Sequence, residues 1–229
     1  MVLLLSVAGA PTPAESPALH EIGRQASPGR VCGPLVVHAN AAIAVELRNR
    51  LRLGQTIALL RTTDLETDDA ARTNALSELN GLSAELHQNA ERGDDELRRL
   101  GVAAERLPPE ADAAGLRSFK QALAAAFAEE RRTALDLAAF VHFLDYLKLH
   151  EIQPGVDDPN RPGDPGPFGR GPSTGELLAA GPSSPYQRAG SPNRMLRAAA
   201  SDFSSRLLDI DGLEARAAGN SEQAVTGCS

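Results

Sequence analysis

The chain has 229 residues, a net charge of −7 and a pI near 5.3. Aromatic residues make up 3%, tryptophan is absent, and alanine and leucine carry most of the 42% hydrophobic content. An acidic chain of this kind lacks the basic footprint of a nucleic-acid binder. Its scarcity of β-branched and aromatic residues argues against a sheet and for helices packed at close range.

Val2 to Ala10 form a short apolar run ending in Ala8-Gly9-Ala10, the form of a signal-peptidase site. With no basic residue before it, residues 1–10 are expected to be a truncated signal peptide and the protein to be exported, to a periplasm or the extracellular space. The plainer alternative is an apolar start on a cytosolic protein. Residues 11–32, rich in Pro, Ser and Gly, are expected to form a flexible N-terminal arm. "LHEI" at 19–22 is its one candidate for an ordered contact.

A first helix is expected from near Pro34, since proline suits the first helical turn. Val36, Ala39, Ile43, Leu47, Leu51, Ile57 and Leu60 recur near helical spacing as its apolar stripe, with Gly54 as a point of bending. Thr63-x-x-Glu66 has the form of a capping box for a second helix, and Asp68 and Asp69 suit its first turn. Ala75, Leu79, Leu82, Leu86, Ala90, Gly93, Leu97 and Leu100 then step by alternating fours and threes, a heptad pattern of the coiled-coil kind. Pro108-Pro109 breaks it.

The third helix spans about 110–152, with a stripe at Leu116, Phe119, Leu123, Phe127, Ala134, Leu137, Val141 and Leu144. Its last third is apolar around most of its circumference, apart from His142, Asp145 and Lys148. Such a helix is buried on several sides or meets a partner. Residues 153–192 then hold 9 Pro and 8 Gly, the composition of a long loop. Ser191-Pro192 opens a fourth helix, residues 193–219, with Met195, Leu196, Ala199, Phe203, Leu207, Ile210 and Leu213 as its apolar face. Residues 220–229 are a polar tail. The expected fold is all-α: an elongated antiparallel bundle of about four helices. Residues 33–152 form three of them, a long Pro/Gly-rich loop follows, and the last helix packs back on the bundle. No segment outside residues 1–10 has the run of about 20 apolar residues that spans a bilayer.

The sequence assembles no catalytic or cofactor set. The histidines are His20, His38, His87, His142 and His150. "HEI" occurs twice, but the residue four after the histidine is Arg24 or Pro154, so no H-E-x-x-H pair forms. No histidine follows a glutamate by three, as carboxylate-bridged metal bundles require. "LDIDGLE" fails as a calcium loop, because Leu207 and Ala218 would fall on the first and twelfth ligand positions. Phosphate loops and haem-attachment motifs are absent. Glu129-Glu130, beside Arg131-Arg132, reads as solvated helix surface. Phe140, Phe143, Tyr146 and Leu147 form an apolar cluster that is either core, a partner surface or the wall of a ligand pocket.

The expected function is that of a non-enzymatic, exported helical-bundle interaction or scaffold module, with a protein partner or self-association and no cofactor or metal. The alternative is a bundle that binds an apolar small molecule or lipid near the C-terminal end of the third helix. Cys32 lacks a base at helical reach, metal-binding companions and a lipidation motif. In an exported protein it is expected to pair with Cys228 as a disulfide. That bond would join the end of the fourth helix to the start of the first across 228 − 32 = 196 residues.

Overall fold

A computed structural model describes residues 19, 21–22, 32–65, 69–106, 113–149 and 191–221. The expected signal segment, Pro108-Pro109, the Pro/Gly-rich stretch to residue 190, His150 and the tail with Cys228 lie outside the described residues. Among the described residues there are four helices: α1 (Gly33–Thr62), α2 (Asp69–Ala104), α3 (Ala113–Leu149) and α4 (Pro192–Ser221). At about 1.5 Å per residue, the 37 residues of α3 extend roughly 55 Å, so the bundle is elongated as expected.

The boundaries follow local chemistry. Pro34 lies in the first turn of α1, where its missing N–H costs nothing. The helix then runs unbroken through Gly54. Thr63 does not open α2. It ends α1, with extended backbone (φ −71°, ψ 133°) and its N–H donated to the Leu59 carbonyl at 2.9 Å. Its expected capping partner Glu66 lies outside the described residues, and Asp69 stands in the first turn of α2, where the helix dipole favours it. Asn193 fastens the start of α4 to the end of α1: its Oδ1 accepts the Leu65 N–H at 2.9 Å, and its Nδ2 donates to Asp64 at 2.8 Å.

The helices pack consecutively, α1 on α2, α2 on α3 and α3 on α4, and α4 closes back on α1, while α1 and α3 meet little across the diagonal. Cross-helix contacts fix the direction. His38–Glu96 and Arg52–Glu85 set α1 antiparallel to α2. Lys120 beside Gly101, and Ser83 donating to the Ala134 carbonyl at 2.8 Å, do the same for α2 and α3. Arg50 on Glu214 and Arg61 on Ser204 do so for α1 and α4. Leu19 and Ile22 are buried, and the Asn40 amide holds the Ile22 backbone by a bond in each direction, at 2.8 and 3.1 Å. The short ordered contact expected of "LHEI" is therefore present.

The stripe expected on α1 needs correction. Leu47 and Leu51 are 38% and 62% exposed, and the buried seam instead runs Ala42, Glu46, Asn49, Leu53, Thr56, Leu60. Repeated steps of four advance about 40° each at ~100° per residue, so a stripe from Ala39 through Ile43 and Leu47 walks off the core by Leu51. Alternating fours and threes stay on it.

The interior falls into two apolar clusters. One gathers Leu53, Ile57, Leu60, Leu137, Phe140, Phe143, Met195, Phe203 and Ile210 at the end where α1 finishes. The other gathers Leu35, Ala39, Ile43, Leu97, Leu100, Phe119, Phe127 and Ala217 at the opposite end. Between them, in sequence order on three helices, stand Glu46 and Asn49, Glu130, and Glu214, all buried.

Candidate functional site

Each of these acids occupies a core position of its helix. On α1, Glu46 and Asn49 fill the heptad steps between Ala42 and Leu53. On α3, Glu130 fills the gap between Phe127 and Ala134, three residues after one and four before the other. On α4, Glu214 lies four after Ile210 and three before Ala217. Glu46 and Asn49 are 0% exposed, Glu130 1% and Glu214 3%. The expectation that Glu130 is solvated surface is thus overturned. The neighbouring arginines had suggested a polar face, but Arg131 turns aside to Asp94 of α2, and Glu130 points inward.

Asn49 donates its amide N–H to Glu130 Oε2. Arg50 reaches in from the rim and binds Glu214 Oε2 at 3.1 Å and Asp211 at 3.0 Å. Both Glu46 oxygens, Asn49 Oδ1 and one oxygen each of Glu130 and Glu214 are enclosed without a hydrogen-bond donor among the described residues. Carboxylates only accept. Three of them meeting here would face one another acceptor to acceptor, which a dry interior does not tolerate. A proton on Glu46 supplies the missing donor, toward Glu130 or Glu214.

The acid strengths follow. Burial, then the nearby charges of Glu130 and Glu214, pushes the Glu46 carboxyl well above its ordinary value. Burial pushes Glu130 up to about 8, against the Asn49 hydrogen bond, which pulls it down. Burial also raises Glu214, opposed by the charge of Arg50.

The other sequence candidates are placed as follows. Phe140 and Phe143 are fully buried, Leu147 is 4% exposed, and Tyr146 is half-buried, so this cluster is chiefly core. A groove of about 300 Å³ does lie at the same end of the bundle, between the start of α2 and the end of α3. Its walls are Thr73, Leu76, Asn80, Val141, His142 and Asp145, a mixed polar and apolar lining rather than an aromatic one. Cys32 is buried at the head of α1, and its expected partner lies outside the described residues. Among the described residues, no group of three or more His, Cys, Asp or Glu side chains is arranged to hold a metal ion, and no helix is long and apolar enough to cross a membrane.

The fold and its interior define an all-α, antiparallel four-helix bundle whose apolar core is divided by a buried carboxyl layer. Comparison with protein-family models, curated proteins and solved structures finds no match to this chain.

Proposed function

We propose that this protein is a non-enzymatic interaction or scaffold module that works outside the cytosol, its surface rather than its interior engaging a protein partner or a second copy of itself. The observation that carries this reading is the contrast between inside and outside. The acids that could do proton chemistry are enclosed in the core, out of reach of a substrate. Large apolar side chains meanwhile stand in solvent: Leu51 is 62% and Leu208 71% exposed. Leu51 follows Arg50, and Leu208 lies one turn before Asp211. Leu208 thus lies on the side of α4 that the Arg50–Asp211 ion pair ties to α1, and Leu51 lies on the outward face of α1.

Cross-linking of the protein in its source, compared with a Leu51→Asp, Leu208→Asp variant, tests this reading. The expected result is a defined cross-linked species, homomeric or heteromeric, that the variant loses while its helical circular dichroism is kept. Steady turnover of a hydrolytic or redox substrate by purified protein would overturn the reading.

A second reading, binding of a small ligand, draws support from the α2–α3 groove. Its volume of about 300 Å³ is at the lower end of ligand pockets. Native mass spectrometry of protein isolated from its source separates the two. A reproducible bound molecule, lost on Val141→Asp, favours the ligand.

A further inference from the structure

We propose that the carboxyl layer is a pH-responsive clasp: Glu46, Glu130 and Glu214, from α1, α3 and α4, hold the last helix in the bundle while they share protons and loosen it as they ionise.

The geometry carries this in three steps. First, the layer joins only helices that α4 must touch to stay in place. Glu46 lies on α1, Glu130 on α3 and Glu214 on α4 itself, all at most 3% exposed. Second, the charges do not balance. Among the described residues, the one cation bonded to the layer is Arg50, and Asp211 shares it. Full ionisation would set three buried carboxylates, with Asp211 at the rim, against one guanidinium that is itself 42% exposed. Third, among the described residues α4 is held by its packing on α1 and α3. Leu149 and Pro192 are separated by 42 residues of chain.

Several other titratable groups on the packed helices are paired. On α4, Arg206 binds Asp136 of α3 at 2.7 Å and Asp202 at 3.0 Å, with Glu129 at 3.9 Å. On α2, Glu85 binds Arg52, Asp94 binds Arg131, and His87 lies 3.5 Å from Glu91 through Nε2, with its Nδ1 enclosed and without a hydrogen-bond partner among the described residues. Toward the layer α2 presents Leu86, Ala90 and Gly93, which are apolar or small.

The sign of the effect is fixed by linkage. A carboxyl whose acid strength is weakened by folding retains its proton in the native state at pH values where the unfolded chain has lost it. Its contribution to stability is whole below the unfolded value of 4.5, and it drains away as pH rises through the folded value of about 8 for Glu130. This is opposite to the surface ion pairs, which fail in acid. Over pH 6 to 9 the layer is separated from the histidine–carboxylate pairs His38–Glu96 and His87–Glu91 by the Glu→Gln variants, which leave those pairs intact.

The test is thermal unfolding of the full chain between pH 6 and 9 at fixed ionic strength, with hydrogen exchange of α4 read at both ends. For a chain of this length the expected fall in Tm over the window is about 5 to 10 °C. Amides of residues 192–221 should lose protection at pH 9 more than those of α2. Glu46→Gln, which keeps a donor without a titrating proton, should flatten the Tm profile. Glu130→Gln serves as the second variant where that one does not fold. A wild-type Tm flat from pH 6 to 9, or the same slope in both variants, would overturn the clasp. So would a rise in Tm with Ca²⁺ or Mn²⁺ at pH 9 that Glu46→Gln abolishes, because the layer would then be a cation site.

Discussion

Asn49 of α1 donates its side-chain N–H to Glu130 of α3 across the diagonal of the bundle, where the two helices otherwise meet little. Both side chains are sealed from water. This bond supplies a donor to one of three enclosed carboxyls and favours the ionised form of Glu130. Asn49→Ala is expected to have two effects. Leaving a buried acceptor unsatisfied should cost about 1–3 kcal/mol in urea unfolding at pH 6. Without the donor, the titration of Glu130 should also move above about 8. The alkaline fall in stability should then shift to higher pH. An unchanged profile with a large loss of stability would mark Asn49 as packing alone.

Gly93 of α2 sits directly against the ring of Phe127, and a Cβ there would overlap the ring carbons. Phe127 is 0% exposed, with no room to retreat. Gly93→Ala should therefore destabilise by about 1–3 kcal/mol through overpacking, less the helix-propensity gain of up to ~1 kcal/mol. Gly54 and Gly81, also inside helices, face open space. Alanine at either should stabilise by about 0.5–1 kcal/mol, as less chain entropy is lost on folding. Opposite signs in three otherwise identical substitutions, read by chemical denaturation, would establish the α2–α3 close approach. A stabilising Gly93→Ala would refute it.

Most of the fold was legible because apolar periodicity is dictated by burial. The helices, the long interruption before α4 and the seam of α2 were all readable in this way. The carboxyl layer was not. A stripe drawn only through apolar residues passes over an acid at a core position, so Leu47 and Leu51 were preferred to Glu46 and Asn49. The signal was nonetheless present as gaps. Phe127 to Ala134 leaves out one heptad step, and Glu130 fills it. Leu207, Ile210, Ala217 leaves out another, and Glu214 fills that. One missing step is uninformative on a surface helix. Missing steps that fall at the same level of three helices become visible only when the antiparallel register is known, and register is a tertiary fact. The arginines beside Glu130 misled for a related reason: the partner of Arg131, Asp94, lies on α2, and no local pattern separates a solvated Glu-Arg run from one that splits inward and outward.

Arg206 is the main polar tie between α3 and α4. It is 14% exposed, binds Asp136 and Asp202 at 2.7 and 3.0 Å, and lies 5.6 Å from the centre of the Phe203 ring. A lysine keeps the charge but not the planar fork or the stacking. Because the acidic partners are 27–42% exposed, solvent screens part of the attraction, and Arg206→Lys should cost only about 1–2 kcal/mol. The difference from wild type should narrow in 1 M salt, where the Debye length falls to about 3 Å. A difference independent of salt would assign the role of Arg206 to its packing on Phe203.

Cys32 marks where the bundle closes. It is 4% exposed at the head of α1, and Ala217 and Ala218 near the end of α4 share the apolar cluster that holds Leu35 and Ala39. The expectation that the fourth helix ends where the first begins is therefore met. From Ser221, the seven further residues to Cys228 can extend at most about 23–25 Å, and the proposed disulfide requires Cys32 to lie within that reach. Alkylation of unreduced, denatured protein is expected to leave both cysteines unlabelled, and reduction to expose them. Reduction should also lower the unfolding free energy, by up to about 5 kcal/mol in the chain-entropy limit for so long a loop. Because the bond would join α4 to α1 at the end opposite Asn193, reduction should widen the alkaline loss of α4 protection that ionisation of the carboxyl layer causes. Labelling of Cys228 in native protein without reductant would refute the bond.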